Sequence, residues 1–584
     1  MFPEQRPEEQ QSQDRLLQRS VSRRQMLRTL VIASGGAALA ACVGSTPAPA
    51  AQSTSTSASP LVSASSSAVT TSEPAKAATS TVKLLTGGWP FNAMPTKEDI
   101  EKSPASKAYA EVLQAWLDQN PGVTVEKVET SIWSQQDLVT AIAGGTAPSA
   151  YPGLVLGNYR TDATRAAFVQ GLAADITPLV NGYQTNSKVA EYAQPLWSTW
   201  NVDNKYYAAP GDYNVGVGIY YRRDLIQEAG LKEPEPGWTW DDFRALAKGL
   251  AKGNVKGAAL QTWGIGWLLS ANGFEMLTKL PAPETDWNWK WDYTSLATIW
   301  ASAISRYRGM VFEDQSVLTD QSYQDDDVAK AFRNGNAAMI SNNTGFLMNN
   351  PDDPASIVGL ANSLNKSTDD VFGWVSHPVG DTGMFGTTQP QVVLVSFSPD
   401  LKGEELDKAY SLFDYLTFGE GYIKQRQAAY ELTKDVRRAY TDVVPLNGIT
   451  TFDGVPGSAD EAWGKKFTDA VRAAAAIPLV PASGLYIPPE KNTGPTGDAI
   501  NDAQSRWSFE TGNLDIAADL QKLEEIRNQQ AAGFSSSVAD NDFIDGATKY
   551  YAALDEFWKK NAPEFYEKTF KPWYAAKVLP ALNK

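Results

Sequence analysis

The run 206–253, YYAAPGDYNVGVGIYYRRDLIQEAGLKEPEPGWTWDDFRALAKGLAKG, constrains the fold more than any other part of the chain. Pro210-Gly211-Asp212-Tyr213-Asn214 reads as a turn-rich loop. Val215, Val217, Ile219 and Tyr221 then alternate at the period of a strand. Gly216 and Gly218 fall on the opposite face and leave it open to close approach. A short helix over 224–229 stops at Gly230. After a Pro-rich connector, Thr239 is an N-cap with Asp242 in the capping-box position, and Asp241 and Asp242 suit the positive end of a helix. Phe243, Leu246, Ala247 and Leu250 stand at i, i+3, i+4 and i+7, one apolar face, and Gly253 stops the helix. Upstream, Val82 and Leu84 begin a strand that ends at Thr86-Gly87-Gly88-Trp89. Ser103 and Pro104 open a helix whose stripe is Tyr109, Val112, Leu113, Trp116 and Leu117. A strand over 123–128, a helix over 136–143 and a third strand at Leu154-Val155-Leu156 follow. This β-α-β-α-β order predicts an α/β fold with parallel strands and right-handed crossovers.

The 206–253 run resembles the extracellular solute-binding proteins of bacterial ABC importers, in the group that includes the maltose-binding protein. The same resemblance is carried by Trp116-x-x-x-Asn120-Pro121-Gly122-Val123-x-Val125, by LVTAIAGGTAP at 138–148 and by FVQGLAADITPLV at 168–180. It continues in FRNGNAAMI at 332–340, in the helix 404–418 and in Val444-Pro445-Leu446. It spans roughly 82–533, and it departs from the family at Ser149 and a short insertion over 150–153. The resemblance implies a two-lobed periplasmic-binding-protein-like fold (type II). Each lobe is expected to be a mostly parallel sheet flanked by helices, with the ligand cleft between them. The first lobe is expected over 82–217 and 396–480, and the second over 218–395 and 481–584, including extra C-terminal helices. Residues 349–370 read as an exposed insertion, and Gly484 opens a third crossing between lobes.

The N-terminus carries export signals. Ser22-Arg23-Arg24-Gln25-Met26-Leu27-Arg28 resembles a twin-arginine signal, and the apolar run 29–41 is too short for a permanent membrane span. Leu39-Ala40-Ala41-Cys42 resembles a lipobox, which makes Cys42, the single cysteine, the lipidation site. Residues 1–41 are therefore read as signal peptide and 42–80, nearly all Ser, Thr, Ala and Pro, as a disordered tether. The chain is then expected at the cell membrane, lipid-anchored and facing the extracytoplasmic side. A formal net charge of −16 opposes nucleic-acid binding, which needs a basic footprint. One His and one Cys leave little material for thiol, zinc or His general-base chemistry, and His377 is read as structural. Asp325-Asp326-Asp327 lacks calcium-loop spacing and reads as a helix N-terminus. No cofactor and no metal are expected.

Open α/β sheets bind ligand outside the carboxyl ends of their strands. By that rule and the family resemblance, the candidate ligand residues are Gly88, Trp89, Trp133, Asn158, Tyr159, Asp212, Tyr213, Trp263, Trp267, Asn342, Phe385, Gly386 and Thr387. Aromatic faces cover the C–H face of a sugar, and Asp and Asn take its hydroxyls. Trp116 and Trp300 fall on helix stripes and read as core. The alternating Trp287, Trp289 and Trp291 read as a packed insertion or a ligand platform. The expected function is a monomeric solute receptor, not an enzyme, that closes on a small solute by hinge bending and presents it to the transmembrane subunits of an ABC permease. The expected solute is a carbohydrate, an oligosaccharide ahead of a monosaccharide. The alternative is a secreted glycosidase-like enzyme, which needs two carboxylates flanking the scissile bond.

Overall fold

The computed structural model describes residues 81–157, 161–260, 264–318, 325–344, 356–384, 391–488, 498–533 and 540–583. The signal, the tether and Cys42 lie outside them. The strands are β1 Val82–Thr86, β2 Val123–Lys127, β3 Ala150–Pro152, β4 Ala209–Asn214, β5 Val217–Arg222, β6 Ala258–Ala259, β7 Lys279–Pro281, β8 Trp289–Trp291, β9 Val317–Leu318, β10 Met339–Asn343, β11 Phe372–Ser376 and β12 Gln391–Phe397. One sheet runs β2-β1-β3-β12-β4, a second runs β11-β5-β10-β6-β9, and β7 and β8 form a separate ribbon. Each sheet has its own apolar core, that of the first built on Leu84, Leu113, Trp197 and Phe397 and that of the second on Ile219, Phe243, Met339 and Trp300.

The passage between the sheets lies where the sequence is most constrained. Only Val215 and Gly216 separate β4 from β5, yet β4 pairs with β12 in one sheet and β5 pairs with β10 and β11 in the other. Gly218 is required by close approach, since a Cβ there would sit 2.3 Å from the Trp374 ring. The loop expected at 210–214 is instead strand β4, because its backbone completes the edge of the first sheet. The chain returns through the segment after β11 into β12.

Both sheets are mixed rather than mostly parallel. In the first, β1 pairs in parallel with β2 and β3, but β12 is antiparallel to β3 and β4. In the second, β10–β6 and β6–β9 are parallel while β5 is antiparallel to β10 and β11. The cause is the crossings. A strand that arrives from the other lobe enters at the end where the resident strands leave, so it runs against them.

The helix Trp240–Leu250 forms as its sequence demands. Thr239 accepts from the Asp242 amide at 3.1 Å, and the Asp242 carboxylate accepts from the Thr239 amide at 2.8 Å. Phe243, Leu246, Ala247 and Leu250 are buried. The third strand is displaced from its expected place: it is Ala150–Pro152, and Leu154, Val155 and Leu156 lie in a 3-10 turn over Gly153–Gly157. Tyr151 holds the strand there, fully buried and donating its hydroxyl to the Leu172 carbonyl at 2.6 Å. Part of the expected insertion 349–370 is core, since the helix Ile357–Ser363 buries Ile357, Val358, Leu360 and Ala361. Its first residues, up to 355, lie outside the described ones.

The segment expected with the first lobe, 396–480, divides. The helix Glu404–Thr417 buries Tyr410, Leu412 and Phe413 on the first core. The helix Lys465–Ala475 puts Phe467 against Phe372 and Tyr220 of the second sheet, at ring distances of 5.8 and 6.2 Å. The C-terminal helices Asp498–Phe509, Ile516–Ala532 and Asp540–Asn561 share the second core. They also bury the Trp287/Trp289/Trp291 stripe, which is 1%, 2% and 6% exposed and so is no ligand platform. Trp287 stacks on Trp291 at 5.3 Å, Phe543 meets Trp289 edge-on at 4.9 Å, and the Arg527 guanidinium lies 4.3 Å from the Trp291 ring. Trp116 and Trp300 are core, as their helix stripes implied.

Candidate functional site

The register gathers the strand ends named by the sequence. In the first sheet β1, β2, β3 and β4 all run in one direction, because β12 is antiparallel to both β3 and β4. Their carboxyl ends therefore share one edge, which holds Gly88, Trp89, Trp133, Asp212 and Tyr213. In the second sheet the carboxyl ends of β10 and β11 meet the start of β5, with Asn342 and Ser376 both opposite Gly218. Asn342, Trp267 and His377 belong to this edge. Asn158, Tyr159, Trp263, Phe385, Gly386 and Thr387 lie outside the described residues.

On the first-lobe side the structure brings two of the tryptophans together. Trp89 and Trp133 lie with ring centroids 5.7 Å apart at 47°, and Trp133 is 52% exposed. Trp89 also reaches β4. The β4–β12 register slips between Val393 and Leu394, so Gly211 is bulged out opposite no partner, and a Cβ on Gly211 would meet the Trp89 ring at 3.2 Å. The bulge thus seats the indole against Gly211, the residue before Asp212. Gly88 supports the turn with φ of +100°, and its amide donates to Thr86 Oγ1 at 3.0 Å.

Asp212 lies in a crowded surround of protein atoms, and this desolvation, with the charge of Asp442, pushes its carboxyl up toward about 7, a rise that solvent reaching its exposed side chain screens. Arg426 opposes that rise. Asp442 accepts from the Tyr422 hydroxyl at 3.0 Å and pairs with Arg426 Nη2 at 3.4 Å, while the Arg426 guanidinium lies 4.8 Å from the Tyr422 ring. Tyr213 packs its ring 4.8 Å from Tyr192, whose own hydroxyl donates to the Pro445 carbonyl. Sequence reasoning missed Tyr422, Arg426 and Asp442, which stand more than 200 residues from Asp212. Nothing in their local pattern marks them.

On the second-lobe side the two expected residues separate. Asn342 is buried, holding the Asn343 amide with Oδ1 at 2.8 Å, and its Nδ2 has no hydrogen-bond partner among the described residues. Successive residues of a strand face opposite ways. Ser341 accordingly points to the other face, where its hydroxyl meets His377 Nε2 at 2.9 Å. The His377 ring lies 5.0 Å from Trp267, and complete burial lowers its pKa to about 3. It is therefore a neutral structural group. Among the described residues, no group of three or more His, Cys, Asp or Glu could hold a metal ion, and no helix is long and apolar enough to cross a membrane.

Two α/β lobes joined by crossing strands, with strand ends converging on the junction, define a two-lobed binding protein. The profile of the bacterial extracellular solute-binding proteins matches residues 101–423, and the chain belongs to that family. A putative binding protein of Brucella abortus is 24% identical over 318 residues, which cover 53% of this chain and 68% of that protein. The sn-glycerol-3-phosphate-binding periplasmic protein of Escherichia coli is 26% identical over 191 residues, or 32% of this chain and 39% of that protein. An ABC substrate-binding protein from Listeria monocytogenes, solved in complex with cycloalternan, shares the fold with a TM-score of 0.50 at 16% identity. That match covers 77% of this chain and 98% of the Listeria one.

Proposed function

We propose that this chain is a lipid-anchored receptor that captures a carbohydrate between its lobes and hands it to an ABC permease. The observation that carries the reading is the Trp89–Trp133 pair, with Trp133 half open to water and Trp89 against Gly211, the residue before Asp212. Aromatic ring faces and a hydroxyl-binding carboxyl group are the chemistry that a sugar needs. The cycloalternan held by the Listeria protein is in keeping with it. A phosphorylated polyol, the ligand named for the Escherichia coli relative, suits the site less well, since the cation near Asp212, Arg426, is already paired with Asp442. Cys42 carries the anchor, the 42–80 tether spaces the lobes from the membrane, and the receptor acts as a monomer outside the cytoplasm. Closure of the lobes buries the ligand, and affinity comes from contacts made only in the closed state.

One observation favours the glycosidase reading: a carboxyl raised to about 7 near a second carboxylate. Asp442, however, is engaged by Tyr422 and Arg426, which leaves it poorly placed to attack or to activate water. Thermal melting against oligosaccharides, monosaccharides and glycerol 3-phosphate tests both readings. A ligand at a hundred times its Kd stabilises by about 2.7 kcal/mol. A shift with one sugar class, recovered intact by chromatography, supports the receptor. Cleaved sugar supports the enzyme, and a shift with glycerol 3-phosphate alone removes the carbohydrate reading.

A further inference from the structure

A cavity of about 190 Å³ lies beyond Asp442, walled in part by Tyr422, Tyr440, Phe452, Asp442, Thr450 and Ser458. It is much larger than a packing fault, since a water in the liquid occupies about 30 Å³. Its wall joins two kinds of group. The rings of Tyr440 and Tyr422 stand 5.4 and 6.0 Å from that of Phe452 and supply flat apolar faces. Around them are a carboxylate and hydroxyls. The hydrogen bonds that Asp442 accepts among the described residues all fall on Oδ2, which leaves Oδ1 for an incoming hydroxyl. Ser458 precedes the short helix Ala459–Trp463 without giving it a side-chain cap, so its hydroxyl is not committed to the fold.

The cavity is tied to the candidate cleft by contact. Pro445 lines it, the Tyr192 hydroxyl donates to the Pro445 carbonyl, and the Tyr192 ring packs on Tyr213, the neighbour of Asp212. We propose that this cavity is a side pocket of the ligand cleft, taking one terminal ring of a polyhydroxylated ligand longer than a monosaccharide. This rests on the carbohydrate reading above. Trp89 and Trp133 hold one part of the ligand, and the ring beyond Asp212 enters the pocket with a hydroxyl toward Asp442. The pocket therefore selects for chain length.

Calorimetric titration of the full chain tests this with three sugar series: maltose to maltotetraose, isomaltose to isomaltotetraose, and melibiose, raffinose and stachyose. In the series that binds, one added ring raises affinity about tenfold or more, equivalent to about 1.4 kcal/mol. Ser458→Trp, which fills the pocket, erases that step, so that the longer sugar loses at least about ten times more affinity than the shorter one. Thr450→Trp, at an exposed position on the rim, does the same and decides the matter if Ser458→Trp fails to fold. A wild-type chain that binds sugar with no gain from the added ring, or folded variants that keep the gain, overturn the pocket and leave the carbohydrate receptor standing. A chain that binds none of the sugars overturns the carbohydrate reading, and the pocket with it.

Discussion

At the residue scale, two titrating groups on either side of the lobe junction respond to pH in opposite senses. His377 is held neutral by burial, with its pKa lowered to about 3 against about 6.5 in an unfolded chain. Between those values the unfolded chain binds the extra proton, so this contribution to stability is complete above pH 6.5 and is lost as pH falls toward 3. The expected slope is up to about 1.4 kcal/mol per pH unit. Denaturant titrations at pH 4 and pH 7 should show a smaller loss on acidification in His377→Gln than in the wild type. Asp212 behaves the other way. Its pKa is raised to about 7, so the folded state holds the extra proton and stability rises as pH falls from 7 toward 4. Asp212→Asn should therefore be more stable than the wild type above pH 7, with the difference fading by pH 4. Equal melting curves at pH 8 would show that Asp212 is not strained by its neighbours. The placing of Trp89 and Trp133 at one edge of the first sheet was legible because each follows a strand in sequence. Arg426 and Asp442 were not, because only the folded chain brings them to Asp212.

At the element scale, local chemistry was readable and pairing was not. The capping box at Thr239 and the stripe from Phe243 to Leu250 predicted a helix that formed as written. Thr239→Ala removes a side-chain acceptor from the first turn and should cost about 1 kcal/mol, read as a lower denaturant midpoint at unchanged slope. The misplaced third strand has a plain cause. Leu154, Val155 and Leu156 are apolar enough for a buried strand, but a 3-10 turn buries Val155 and Leu156 as well, and hydrophobicity alone does not separate the two. Residues 210–214 form a strand despite their loop-like composition for a similar reason. Pro, Gly, Asp and Asn are turn formers, yet an edge strand with a bulge accommodates them. Local patterns do not show that a sheet is mixed, because strand direction is set by where the chain crosses between lobes.

At the scale of the whole molecule, the α/β order and the family motifs were sufficient for the two-lobed architecture, but not for the contacts that the last hundred residues make within it. Their aromatic residues are inward-facing, and a single sequence does not say against what. In the structure Phe543, Tyr551, Trp558, Phe565 and Phe570 share one core with Ile219, Trp289 and Trp300. These helices are therefore part of the second lobe's foundation. A chain truncated after Gly533 should lose cooperative unfolding and bind a hydrophobic dye, whereas removal of residues 1–80 should leave melting unchanged. Retention of a sharp transition by the truncated chain would make the C-terminal helices an accessory.

The interleaving of the lobes also dictates a timetable. The first sheet needs β12, which emerges from the ribosome long after β1, a delay of roughly 15 to 60 s at the usual pace of synthesis. The second lobe waits for the last helices. The second lobe cannot reach its final form while the chain is still being made, so its apolar surface stays available to chaperones until release. A signal read only on finished, folded cargo would then act as a checkpoint, passing those chains in which both ends had found their places.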